Sequence, residues 1–172
     1  MKINEISRTD YDVGEDFYNA EYNEQQLVFI RKKSDFDFRG RKINVGAIGG
    51  ASCLYIEKMG YMILYLEIEH FAKGVQVKIA WRDSKNKFDG ADETRGLIGP
   101  LYTELVRRYG VVYSDDIQTQ DGERLWRKLV VDASDKGYTV GQMSNGDHIP
   151  LDDPHNIDFI WKNDATVLYI TA

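Results

Sequence analysis

The sequence holds a single cysteine, Cys53, so no disulfide can form within the chain, and such usage fits a reducing cytoplasm. Cys53 stands in an alternating apolar pattern and reads as a small core residue rather than a nucleophile. Only 3 prolines occur and there is no low-complexity tract, which argues against linkers and long disordered segments. No apolar run approaches the ~18–20 residues that span a bilayer. The opening MKINEISRTD has no apolar stretch of the signal-peptide kind. The expectation is a cytoplasmic protein with no membrane contact. Basic charge is also scarce: 22 Lys and Arg against 28 Asp and Glu give a net charge of −6. That balance disfavours broad contact with a nucleic-acid backbone. No Gly-x-Ser-x-Gly elbow, Cys/His nucleophile pair or Walker loop is found. Asp147, His148, Asp152, Asp153 and His155 lie close in sequence, but their spacing fits no firm ligand pattern, so no metal is expected.

What is present is an ordinary globular composition. The 172 residues suffice for one domain, 1–172, with a sizeable core. Hydrophobic residues make up 42% and charged residues 29%, and 11 tyrosines place much of the packing on aromatic rings. Residues 1–24 are polar and acidic, with Asp10, Asp12, Glu15 and Asp16 close together, and read as a solvated or loosely docked arm. Phe17, Tyr18 and Tyr22 form a weak helical stripe within it.

Strand signals follow. Gln26 to Arg31 reads as the first, with Lys32 to Gly40 as a short connection. Arg41 to Ile48 alternates and ends at Gly49-Gly50, a hairpin turn. Ala51 to Lys58 comes next, then the turn Met59-Gly60. Tyr61 to Ile68 is apolar on both faces and belongs at the sheet centre. In Gly74 to Arg82 the alternation puts Val75, Val77, Ile79 and Trp81 on one face. These segments predict an antiparallel meander.

Asp83 to Glu93 is a long polar loop, a kind that is often functional. Pro100 suits the first turn of a helix that carries Leu101, Leu105, Val106 and Tyr109 on one stripe and stops at Gly110. Val111 to Tyr113 is a short strand, Ser114-Asp115-Asp116 ends it, and Thr119 reads as an N-cap. Leu125, Trp126, Leu129, Val130 and Ala133 form the buried stripe of the second helix. Tyr138 to Gln142, Ile157 to Trp161 and Thr166 to Thr171 are the closing strands, with His148 to Pro154 irregular between them. The fold class is therefore α/β (α+β), a mixed, mostly antiparallel sheet with two packed helices.

Two places offer chemistry. Arg95-Gly96-Leu97-Ile98-Gly99 sits between a strand and a helix, where backbone N–H groups can approach a phosphate; the same residues also read as a plain turn and cap. Glu67 and Glu69 end the central strand, followed by His70. They are either rim charges or candidates for a general base, since ligands sit beyond strand ends in such sheets.

From Gly74 onward the order of elements resembles the GNAT superfamily of acyl-CoA-dependent N-acetyltransferases. Gly74 to Arg82 resembles that family's fourth strand, Gly96 to Gly99 its pyrophosphate loop and Val111 to Tyr113 its fifth strand. Leu125-Trp126-Arg127-Lys128-Leu129 is similar to its Leu-Tyr-Glu-Lys motif. Ser114, Asp115, Gln118, Thr119, Gly122, Leu125 and Trp126 match a tract found in GNAT-like proteins of tailed bacteriophages. The resemblance implies acetyl-CoA or CoA as cofactor, held by Ile79, Ala80, Trp81, Gly96, Leu97, Ile98, Gly99, Leu101 and Trp126. It implies Glu67, Glu69 and Ser114 as catalytic candidates, an amine acceptor, and the host cytoplasm as location. Two departures stand out: Ile98 lies where a phosphate loop favours glycine, and Trp126 where many members have tyrosine. The alternative expectation is accordingly a catalytically inactive protein of this fold that binds a host or virion protein.

Overall fold

The computed structural model describes residues 13–115, 120–157 and 166–172. Nine strands among them form one sheet in the order β1-β2-β3-β4-β5-β6-β9-β7-β8. They are β1 (Arg31–Phe38), β2 (Arg41–Ile48), β3 (Ala51–Lys58), β4 (Tyr61–Phe71), β5 (Gly74–Arg82), β6 (Val111–Tyr113), β7 (Thr139–Ser144), β8 (Asp147–Pro150) and β9 (Leu168–Thr171). The helices are α1 (Val13–Asp16), α2 (Ala20–Phe29), α3 (Ala91–Thr94), α4 (Ile98–Tyr109) and α5 (Gln120–Asp135). The architecture is α+β with a mixed sheet, antiparallel except where β5 meets β6. No helix among the described residues is long and apolar enough to cross a membrane.

The first strand is not where the sequence pattern puts it. Gln26 to Phe29 ends α2, and the pairing edge is β1, in the supposed connection Lys32 to Gly40. The run QLVFIR has strand-forming residues, but tertiary contacts override that propensity. Asn19 caps α2, its Oδ1 accepting from the Tyr22 N–H at 3.0 Å. Asn23, wholly buried, then docks the helix: its amide donates to the carbonyls of Phe17 and Met62, and its Oδ1 accepts from Met62 N–H at 2.7 Å. Strand β1 is mostly exposed and charged, which suits a sheet edge that must resist pairing with other chains. The reading of 1–24 as a loosely docked arm also needs correction from residue 17 on. Phe17 is 1% exposed and packs on Tyr65 and Trp81, with ring centroids 4.9 and 5.2 Å away. A stripe of so few aromatics gives little periodic signal, yet one ring in the core fixes the segment.

Strand β5 contains a bulge. Its pairs with β4 run His70 with Val75, Glu69 with Gln76 and Ile68 with Val77, then Glu67 with Ile79, Leu66 with Ala80 and Tyr65 with Trp81. Lys78 is the extra residue. One inserted residue reverses the alternation beyond it. Val75 and Val77 therefore share a face with Ile68, whereas Ile79 and Trp81 share the opposite face with Glu67 and Tyr65, contrary to the single face read from the sequence. The face bearing Glu67, Tyr65 and Trp81 is called front, and Phe17 covers part of it. The back face carries Val75, Val112 and Ile170, in register across β5, β6 and β9, and Ile170 lines a pocket together with residues of α4 and α5.

Two further devices set the frame. Gly74 lies so close to β6 that a Cβ there would stand 2.0 Å from the Val111 carbonyl oxygen. On the back of the molecule Glu104 of α4 accepts from Arg107 and Arg108, and the Arg108 guanidinium lies 3.8 Å from the centroid of the Phe36 ring, tying α4 to β1. Hairpin and loop positions agree with the turn residues: β3 and β4 are joined through Met59-Gly60, and β7 and β8 through Asn145-Gly146. Of the segment His148 to Pro154, expected to be irregular, the part up to Pro150 belongs to β8 and the rest is irregular, while the expected strand Ile157 to Trp161 and the N-cap Thr119 fall on or run into positions outside the described residues.

Gly74→Ala is expected to lower unfolding free energy by about 2–4 kcal/mol in urea titration, because backbone, not a mobile side chain, must yield. The Glu104 cluster gives a pH signature. Hydrogen bonds from Arg107, and then from Arg108, hold the Glu104 carboxyl at about 2 against its ordinary 4.5. A depressed folded-state value contributes stability above pH 4.5 that is lost as pH falls toward 2. Thermal unfolding of Glu104→Gln should show a shallower loss across that window than the parent.

Candidate functional site

The site is built where β5 loses its second neighbour. β5 and β6 pair in parallel over two rungs only, Val75 with Val112 and Gln76 with Tyr113. Past Tyr113 the chain follows β9 instead. Ser114 N–H donates to the Leu168 carbonyl at 2.9 Å, and the Ser114 hydroxyl accepts from Leu168 N–H at 2.9 Å and donates to the Asp115 carbonyl at 3.0 Å. Gln76 bridges the divergence, its Nε2 donating to the Ser114 carbonyl at 2.8 Å. Among the described residues no strand pairs with Lys78 to Arg82 on this side, and this divergence of β5 from β6 is termed the opening. Across this opening Lys78 Nζ meets Asp115 Oδ1 at 2.5 Å, both side chains being about nine-tenths buried. A buried ion pair of this kind offsets its own desolvation only while both partners are present.

On the front face, two rows cross the sheet beside the bulge. One is Cys53, Glu67 and Ile79, and the other is Tyr55, Tyr65 and Trp81. The Tyr65 hydroxyl donates to Glu67 Oε2 at 2.8 Å. Burial, then the neighbouring Glu67 charge, holds the Tyr65 phenol far above its usual range, so it stays a donor. Burial and the same charge push the Cys53 thiol up to about 11, which removes it as a nucleophile near neutral pH. Glu67 is half-buried, and its second oxygen has no hydrogen-bond partner among the described residues, so the carboxylate has one oxygen fixed and one presented. The Trp81 indole N–H is buried with no hydrogen-bond partner among the described residues.

The loop after β5 is organised by Asp83, wholly buried, whose carboxylate accepts from the N–H groups of Lys87, Phe88 and Gly90 at 2.7, 2.8 and 3.0 Å. It leads through α3 to Gly96, whose φ of +70° is the left-handed turn that glycine supplies without strain. Leu97, at the N-cap of α4, has no side-chain cap hydrogen bond among the described residues. Gly96 and Gly99 line a back-face pocket of about 260 Å³ between α4 and the second half of α5, together with Arg39, Lys128, Asp132 and Lys136.

The sequence-derived residues therefore divide. Glu67, Ile79 and Trp81 come together at the front of the bulge, and Gly96 and Gly99 line the back pocket. Ala80 pairs with Leu66 on the opposite side from Trp81. Ile98 is half-buried at the start of α4. Leu97, Leu101 and Trp126 are core residues, and Trp126 packs edge-on to Tyr102, so their side chains build the helix interface rather than a binding surface. Ser114 is wholly buried and its hydroxyl bonds backbone on both sides, which makes it the staple of the divergence, not a nucleophile or acid. Glu69 and His70 are exposed at the end of β4. His148 stacks on Tyr113 and bonds its hydroxyl at 2.9 Å, and no three His, Cys, Asp or Glu side chains among the described residues converge to hold a metal.

Sequence reasoning passed over Gln76, Lys78 and Tyr65. The polar positions in VQVKIAW mark one side of a strand, and nothing local marks Lys78 as a bulge. Arg39 reaches the pocket from the β1–β2 turn, a proximity with no local sign at all.

Compared with family models, curated proteins and solved structures, the chain matches none of them.

Removing one partner of the buried pair, as in Lys78→Met or Asp115→Leu, is expected to destabilise by about 3 kcal/mol. The double variant should recover much of that loss, as read by a double-mutant cycle in guanidinium.

Proposed function

We propose that the chain is an acyl-CoA-dependent N-acyltransferase of GNAT type, working at the β5–β6 opening. The observation that carries this reading is the parallel pair that closes for two rungs and then diverges, leaving Lys78 to Arg82 without a β6 partner. Unpaired strand backbone accepts an extended chain of amides by adding it as a strand, which is the chemistry of a pantetheine arm. In this reading the arm passes from the back face to the front. The diphosphate lies toward Gly96 and Gly99, where Arg39, Lys128 and Lys136 supply positive charge and the α4 dipole adds to it. The thioester emerges at the bulge beside Glu67. The presented oxygen of Glu67 takes a proton from the acceptor amine, and the amine attacks the thioester directly, with no covalent enzyme intermediate. Lys78 and Asp115 part to admit the arm.

A second reading is favoured by that same ion pair. Lys78 and Asp115 bridge the opening, and a chain that has given up catalysis has no need to part them. Such a protein would be a GNAT-like accessory factor, phage-encoded by the tract around Ser114 to Trp126, that binds a host or virion protein.

Titration calorimetry with acetyl-CoA separates the two. Binding tighter than about 1 mM is expected and should be abolished by Gly99→Asp, whereas no heat up to that concentration overturns the enzyme reading. Glu67→Gln should leave this binding intact and lower turnover of an amine acceptor by about 10²–10⁴-fold.

A further inference from the structure

We propose that Trp81 is the oxyanion donor of the acyl-transfer step, its indole N–H donating to the thioester oxygen as negative charge develops there. This rests on the acyltransferase reading and adds to it a side chain with a chemical task. Among the described residues the Trp81 Nε1–H is the buried side-chain polar group left without a partner. Burying such a donor unpaired is costly, and each case asks for an explanation. Trp81 is 5% exposed, so water does not supply the missing acceptor in bulk.

Its place in the fold supplies one. Trp81 belongs to the stretch of β5 that β6 no longer pairs. It sits across from Tyr65, and Tyr65 in turn positions Glu67, one diagonal step away on the same face. Diagonal neighbours of this kind are about 7–8 Å apart at Cα, within reach of an indole and a carboxylate serving one small group. An indole N–H is a donor that never accepts and never ionises near neutral pH. It therefore favours an oxygen that gains negative charge, and in a water-poor site such a donor acts strongly. The Phe17 ring, stacked on the indole with centroids 5.2 Å apart, closes this face over it.

The step balances as follows. The amine nitrogen bonds to the thioester carbon, and the carbonyl pair moves onto oxygen, where Trp81 donates to it. The amine proton passes to Glu67. Collapse restores the C=O bond, breaks the C–S bond and releases the thiolate, which takes a proton from solvent. Trp81 changes no bond of its own.

The test follows the Trp81 indole N–H resonance in ¹⁵N-tryptophan-labelled full-length protein, assigned with Trp81→Phe. A ketone analogue of acetyl-CoA, which keeps the carbonyl but cannot transfer it, should move that proton downfield. CoA, which has no acyl oxygen, should bind and leave the resonance in place. In turnover assays Trp81→Phe should lower kcat by about 10²-fold with little change in KM, and its circular dichroism should match the parent. If the analogue binds and the Trp81 proton does not move, this assignment is overturned while the acyltransferase reading stands. If neither CoA nor the analogue binds, both fall together.

Discussion

Strand β5 has neighbours of opposite direction, and most of the molecule follows from how far each stays with it. On one side β4 pairs along its whole length, at the expense of one bulged residue. On the other, β6 pairs for two rungs and leaves. The bulge turns Trp81 and Ile79 to the same face as Glu67. The departure of β6 opens the backbone of the same residues. Without the bulge Trp81 would lie on the back face under the helices, and without the departure the strand edge would be saturated with hydrogen bonds.

The departure is actively held. Tyr113 is clamped by β9, by His148 and by the Lys73 N–H. Ser114 then adds a hydroxyl bond from the Leu168 N–H of β9, and Gln76 reaches over to satisfy its carbonyl. Polar groups at the divergence are thus paired one by one, as a buried break in a ladder requires. The Lys78–Asp115 pair completes this, and it spans the opening that a ligand would use.

The two sides of the sheet divide the labour. The back face carries α4 and α5 and a pocket lined by three cations and the Asp132 carboxylate, while the front face carries a carboxylate positioned by a tyrosine that burial keeps protonated. Neither side assembles a complete site alone. In the proposed acyltransferase reading, the opening beside β5 would join a place for anionic charge to a place for proton transfer.

The amino-acid pattern alone suffices for the meander from Arg41 to Arg82, the short strand at Val111, the helices around Leu105 and Trp126, and the turns at Gly49-Gly50 and Met59-Gly60. Those are local patterns: alternation, helical stripes and turn chemistry act between near neighbours in the chain. Glu67, Gly96 and Gly99 stand at a strand end and a helix entrance, positions recognisable in the sequence, and the structure places Glu67 beside Trp81 on the front face and the two glycines at the back pocket. The tertiary structure alone decided that Gln26 to Phe29 is helix, since Asn23 finds its partners on Met62, 39 residues away. It alone decided that Lys32 to Phe38 is an edge strand, that Ser114 is a staple, and that Leu97, Leu101 and Trp126 are core. It also decided the bulge at Lys78. A single inserted residue is invisible to a period of two until the neighbouring strand fixes the register, and that register reverses which face every later side chain of β5 occupies.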